Sequence, residues 1–256
     1  GTLWNEKPGY IHVSAVMSRF KELLKENPSL AVKEPYKSVK DKDLSYFMKY
    51  FQNEEWLPLV GDLMGVPYAG MTPEAFNQWN KNWLAEWRHP KYKTGYKNLI
   101  YQPMVELIKY LQSNEFKVFV VTADEAAFLQ PISQELYGIP SEMVIGTSVK
   151  LAYNEDGKIT RTAEGKFLDN WDYKPRQIWD RIGKQSVFAA GNSNGDYHML
   201  QWVSKSGGFA LMVHHTDGDR EDQYDKNTEK VIPMMKNEGE TIVDMKKDWK
   251  TIFATN

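Results

Sequence analysis

Along the first third of the chain the apolar residues return every three or four positions. Beyond residue 91 they gather instead into short runs separated by polar turns. The first pattern belongs to helices that bury one face, the second to strands alternating with helices. Val13, Val16, Met17, Phe20, Leu23 and Leu24 form one helical stripe, and Leu44, Phe47, Met48 and Phe51 form another. Thr72-Pro73-Glu74 has the order of an N-cap, a proline at the first helical position and an acidic first turn. It predicts a helix with Phe76, Trp79, Trp83 and Trp87 on one face. Residues 13–88 therefore read as a helical block without a strand.

In the remainder, Met104 to Leu111 predicts a helix and Lys117 to Val121 a strand ending at Thr122. A second helix runs from about Asp124 to Tyr137 and closes on Gly138, a residue suited to the left-handed position after a helix. The turn Asn154-Glu155-Asp156-Gly157 predicts a hairpin over Ser148 to Thr162. A helix after Lys174, a strand over Ser186 to Ala190, a helix from Gly195 and a strand over Phe209 to His214 follow. This alternation predicts an α/β fold, a parallel sheet doubly wound by helices. With 41% apolar and 13% aromatic residues in 256 positions, the chain can bury a sizeable core.

Composition narrows the function by exclusion. A formal net charge of −2 offers no basic stripe, so no nucleic-acid partner is expected. No apolar run is long enough for a membrane helix. Cysteine is absent, which rules out disulfides, thiolate metal sites and a cysteine nucleophile. The same absence suits an exported protein or a cytosolic one.

In parallel sheets the ligand sits beyond the carboxyl ends of the strands, so the residues there carry the chemistry. Thr122 ends one strand, Gly191-Asn192-Ser193-Asn194-Gly195-Asp196 follows another, and Lys174 opens a helix between them. A hydroxyl, a lysine and a carboxylate in a glycine-rich turn suit a phosphoryl ligand with a divalent cation. Singly, each is weak: a threonine after a strand is more often a helix cap, and a lysine at a helix start is more often solvated. Their order and spacing make the case together. His214-His215-Thr216-Asp217 reads better as a polar loop capping a helix near Asp217 than as a contact to substrate. Trp79, Trp83 and Trp87 read better as core than as a cage for a quaternary ammonium.

With these residues in place, the sequence resembles the haloacid dehalogenase-like phosphatases, in particular the branch that includes phosphoserine phosphatase. Gly1-Thr2-Leu3-Trp4 resembles the tail of that superfamily's Asp-x-Asp-Gly-Thr motif, and Val120-Val121-Thr122 the second motif. Lys174 in WDYKPRQIWDRIG matches the third motif, and GNSNGD the fourth. The likeness covers nearly all of Leu99 to Phe253 and, before the helical block, only GTLWNEKP. It implies a Rossmann-like core over residues 1–12 and 96–256, with residues 13–95 as a helical cap inserted after the first strand. It implies a magnesium-dependent phosphomonoesterase of bacterial type acting on a small phosphorylated metabolite through an aspartyl-phosphate. Thr122, Lys174 and Asp196 would be catalytic, and Thr2, Thr122, Ala123 and Lys174 would bind the phosphoryl group. Asn192 and Asp196 would hold Mg2+, Asn192 standing where relatives often carry an aspartate. The nucleophile and its partner are expected just before Gly1, which does not read as a natural start. The reading leans to a bacterial periplasmic or exported protein, with a cytoplasmic one the alternative. Two rivals are a catalytically inactive binding protein on the same fold and a metal-free carbon–halogen hydrolase, which the acidic GNSNGD turn disfavours.

Overall fold

The computed structural model describes residues 1–43 and 45–253, apart from the side chains of residues 51 and 52. The helical block contains α1 (Ile11–Glu26), α2 (Tyr36–Asp41), α3 (Ser45–Asn53), α4 (Trp56–Val60) and α5 (Pro73–Glu86). Ile11, His12, Ala15, Val16 and Phe20 are the buried face of α1, while Val13 is exposed. The expected stripe is therefore turned by one position toward Ile11. In α3 Phe47 is buried and Met48 exposed; Leu44 and the Phe51 side chain lie outside the described residues. The Thr72 hydroxyl accepts the Ala75 N–H at 3.2 Å, so α5 starts on the expected cap. Trp79 and Trp83 on that helix, and Trp87 at its end, pack in sequence against the main core.

After α6 (Gln102–Ser113) come β1 (Val120–Glu125), α7 (Ala126–Tyr137), β2 (Val144–Tyr153), β3 (Ile159–Phe167), α8 (Tyr173–Ile182) and β4 (Phe188–Gly191). The chain continues through α9 (Tyr197–Lys205), β5 (Phe209–His214), α10 (Val231–Glu238), β6 (Thr241–Asp244) and α11 (Met245–Asp248). Gly138 adopts the left-handed conformation that ends α7, and Asn154 and Lys158 close the β2–β3 hairpin. The helix expected near Asp217 does not form. The Asp217 carboxylate instead accepts the backbone N–H groups of Asp219 and Arg220, and these local bonds stabilise a turn.

The strands form two three-stranded sheets, β1-β2-β3 and β4-β5-β6. β1 runs parallel to β2, β2 antiparallel to β3, and β4, β5 and β6 are all parallel. Each sheet thus has a free parallel edge, on β1 and on β4. Residues 118–124 and 186–190 from these two edges line one cavity of about 1090 Å³. Leu107 and Ile108 of α6 and Ile178 of α8 line it too, so it is an apolar channel running along the strands.

The helical block sits on the β3 strand. Gly165 makes the approach possible, since a Cβ there would strike the Leu57 carbonyl and the Val60 side chain. Arg161 of β3 binds Glu125 at the end of β1 in a two-pronged ion pair, 2.7 and 3.0 Å long. The same guanidinium reaches the Met64 carbonyl at 2.9 Å and lies over the Phe76 ring. One buried cation thereby ties the helical block, the hairpin and the start of α7 together.

Candidate functional site

At the carboxyl end of β1 the chain turns through Thr122, Ala123 and Asp124, all on the cavity wall. The Thr122 hydroxyl accepts the Asp124 N–H at 3.1 Å, as a strand-end threonine commonly does. Beneath this turn the Thr147 hydroxyl donates to the Ala123 carbonyl at 2.6 Å and accepts the Asp169 N–H at 3.0 Å. The loop that leads to Lys174 is thus pinned under the loop that carries Thr122.

Lys174 lies on the first turn of α8 and is only 5% exposed. Its ammonium donates to Asp196 Oδ1 at 2.8 Å and to the Val121 carbonyl at 3.1 Å. Burial opposes the lysine's charge, but Asp196 and Asp169 outweigh it and hold the pKa above the ordinary lysine value. Asp196 closes a capping box in the turn after β4. Its Oδ2 accepts the N–H groups of Asn192 and Ser193 at 2.9 and 3.1 Å. Gly191 permits this fold-back, because a Cβ there would collide with the Asp196 side chain. Asn192 Oδ1 accepts the Thr2 hydroxyl at 3.0 Å. Thr2, Thr122, Ala123, Lys174, Asn192 and Asp196, drawn from four separate stretches of sequence, therefore meet at one end of one cavity.

For a hard cation, the chemically suitable donors here are the Asn192 amide oxygen and the Asp196 carboxylate. Among the described residues no three His, Cys, Asp or Glu side chains converge as a ready-made metal cluster. The two oxygens fit part of a magnesium shell, which ordinarily keeps several waters and takes only one or two protein carboxylates.

The family model for haloacid dehalogenase-like hydrolases matches residues 30–201. The chain belongs to that family. Among solved structures, a Bordetella pertussis Tohama I protein of unknown function superposes with a TM-score of 0.60 at 11% identity, covering 95% of this chain and 94% of that one. A phosphoserine phosphohydrolase-like protein from Francisella tularensis subsp. tularensis SCHU S4 gives 0.45 at 16% identity, covering 90% and 88%. Cytosolic 5'-nucleotidase IIIB bound to cytidine also gives 0.45, at 11% identity and covering 93% and 83%. At these identities the likeness concerns the fold. No curated protein matches the chain.

Around the six predicted residues the hydrolase carries three groups that its sequence does not announce. Asp169 is fully buried, and neither carboxylate oxygen has a hydrogen-bond donor among the described residues. Burial pushes it up to about 7, with Lys174 pulling it down and Asp196 pushing it up. His215 lies under the Gly1-Thr2 turn, with Nδ1 3.0 Å from Glu221 Oε2 and Nε2 2.9 Å from the Gly1 carbonyl. Both of its ring nitrogens face acceptors. His89 is wired oppositely: its Nδ1 accepts the Lys91 and Tyr92 N–H groups, leaving Nε2 to donate to Asn5 and Lys7. Through Asn5, which donates to Glu221 at 2.7 Å, the two histidines fix residues 1–7 against the core. His214, on the other side of the strand end, pairs with Asp225. The two adjacent histidines thus point apart, as alternation along a strand requires.

Proposed function

We propose that the protein is a magnesium-dependent phosphomonoester hydrolase that works through an aspartyl-phosphate. The observation that carries this is the buried Lys174–Asp196 pair beside Thr122 at the carboxyl ends of β1 and β4. In this reading the nucleophilic aspartate and its acid–base partner immediately precede Gly1, on a strand that runs along the channel between the β1 and β4 edges. The edges of β1 and β4 would pair with the backbone of such a strand, and Leu107 and Ile108 of α6 and Ile178 of α8 suit its two faces.

A carboxylate oxygen attacks phosphorus, the P–O bond to the alcohol breaks, and the second aspartate protonates the departing oxygen. Water, deprotonated by that same aspartate, then cleaves the acyl phosphate and releases inorganic phosphate. Lys174 and the Thr122 hydroxyl hold phosphoryl oxygens whose charge spreads in the transition state. Asn192 and Asp196 would hold the magnesium, whose charge lets the anionic nucleophile approach the anionic ester. The helical block over the site would limit water at the reacting centre.

The test uses the protein expressed from its encoded start, with an aryl phosphate and a divalent cation. Hydrolysis should require the metal, and Asp196→Asn should lose most of the activity while the fold persists by circular dichroism. Turnover undiminished in excess chelator would overturn the assignment. An upstream tract without Asp-x-Asp would instead favour a non-catalytic binding protein.

A further inference from the structure

We infer that the alcohol released from the substrate is a flat aromatic group without negative charge, seated against the touching indoles of Trp56 and Trp171; the inference rests on the phosphatase reading and specifies its substrate class.

Three independent features place these residues. Trp171 stands three positions before Lys174 and adopts a left-handed backbone, with φ of 51°. A bulky side chain is rarely held this way, because its Cβ crowds the carbonyl that follows. Here the conformation is fixed on the site itself. The Trp171 N–H donates to the Gly195 carbonyl and to Asn170 Oδ1, both at 3.0 Å, and its carbonyl accepts the Lys174 N–H at 3.3 Å. The result is an indole presented, half-buried, on the cavity wall next to the phosphate-binding lysine. Strain maintained by a functional turn is a reason to ask what the presented group touches.

The second feature is Trp56, which comes from the helical block. It begins α4, the helix seated on β3 through the close approach at Gly165. Its ring centroid lies 4.7 Å from that of Trp171, with the planes inclined by 53°. Both indoles line the same cavity as Thr122 and Lys174, and Leu59 and Met64 of the helical block extend the apolar surface. The two indoles touch, so the helical block and the loop before Lys174 jointly build one aromatic wall.

The third feature is charge. At the end of the cavity where Lys174 lies, the other charged side chains of the lining are the carboxylates Glu6, Asp124 and Asp196; Lys7 lies 3.7 Å from Glu6, and His12 Nδ1 lies 3.4 Å from Asp124. The lining cations Lys117, Arg181 and Lys184 stand at the opposite end, before β1, near the end of α8 and before β4. Lys174 is engaged with Asp196 and with the phosphoryl group. A leaving group carrying a carboxylate or a second phosphate would meet carboxylates, and the cations at this end, Lys7 and Lys174, are already paired with Glu6 and Asp196. A flat neutral ring gains contact with two indoles and loses nothing.

The experiment compares three probes by calorimetry on the protein expressed from its encoded start: inorganic phosphate, phenyl phosphate and 3-phosphoglycerate. Phenyl phosphate should bind roughly tenfold or more tightly than phosphate, the scale of one ring stacked on an aromatic side chain. The glycerate ester should bind no better than phosphate. In Trp171→Gly, which keeps a backbone suited to positive φ, the phenyl-to-phosphate ratio should fall toward one, and Trp171→Phe should restore it. Trp56→Ala should lower the ratio in part. Because the ratio is internal to each variant, a general loss of affinity leaves it readable. Phosphate binding with no aryl preference, an aryl preference that survives Trp171→Gly, or 3-phosphoglycerate binding as tightly as phenyl phosphate would each overturn this inference while leaving the phosphatase reading intact. Failure of all three probes to bind would overturn both.

Discussion

Two buried ion pairs of this fold are built differently. Arg161 and Glu125 meet through both prongs of the guanidinium, with the faces of Phe76 and Tyr68 packed around them. Lys174 and Asp196 meet through one oxygen, at the edge of a cavity, and Asp169 lies near them without a donor among the described residues. The first pair is closed at its anion, since each Glu125 oxygen has a guanidinium nitrogen, although Arg161 Nε has no partner among the described residues. The second is open toward the space where an anion would bind. Burial alone does not distinguish a structural lock from a reactive site; the cavity in front of the pair and a neighbouring carboxylate without donors do. Residue type follows the same division, because a planar fork suits a fixed bidentate partner and a compact ammonium can shift between several.

The largest effect expected from this contrast is on stability. Arg161→Met should cost about 3–5 kcal/mol, because it strands the Glu125 carboxylate in the interior. Denaturant unfolding would measure it. The double variant Arg161→Met with Glu125→Gln should recover more than half of the loss, since the uncompensated charge is then gone. A single-variant cost below about 1 kcal/mol, the level of an exposed pair, would mean that the helical block is held by its other contacts. The closed pair would then not be the lock described above.

At the open pair the effect should fall on chemistry. Lys174→Ala should lower kcat/KM at least a hundredfold, about 3 kcal/mol of transition-state stabilisation, by analogy with lost oxyanion donors. Lys174→Arg should recover little, because a guanidinium cannot reproduce a single compact donor between Val121 and Asp196. Steady-state kinetics on the protein expressed from its encoded start gives the answer. Full activity in Lys174→Ala would show that the lysine is only a structural partner of Asp196, which would make the two pairs alike.

Local order along the chain makes part of this site legible in the sequence. Lys174 and the turn ending at Asp196 stand at the start of a helix and after a strand, where pattern alone locates them, whereas Thr122, expected to end its strand, lies inside β1 just before an irregularity in its pairing. What sequence hides is partnership across distance. Arg161 sits in a strand of polar alternation that reads as solvated on one face, and its partner Glu125 is 36 residues away. His215 bonds to Gly1 across 214 positions, so the pair His214-His215 reads as loop until the chain is folded. The apolar run from Lys117 reads as strand throughout, yet its ladder begins only at Val120, opposite Val144 where its partner β2 begins. β6 and α10, with four and eight residues, are too short to stand out from the polar stretch around them.

The smallest of the three effects concerns the carboxylate that pattern could not reveal. Asp169 has a folded pKa of about 7, raised chiefly by burial, against about 3.9 for an exposed aspartate. The folded protein therefore holds this proton more tightly than the unfolded chain does. The contribution to stability is complete below about pH 4, shrinks as the pH rises, and is gone above about pH 7. Between about pH 6 and pH 8 it should lower the unfolding free energy by on the order of 1 kcal/mol. Asp169→Asn cannot ionise, so its stability should lack that fall, whatever the amide costs at a single pH. Urea titrations of both proteins at those two pH values isolate the effect as a difference of differences. An equal fall in the two proteins would assign the pH dependence elsewhere and leave Asp169 ionised throughout this range. In that case the open pair would face a standing second carboxylate, and Lys174 would be shared between two anions before any phosphate arrives.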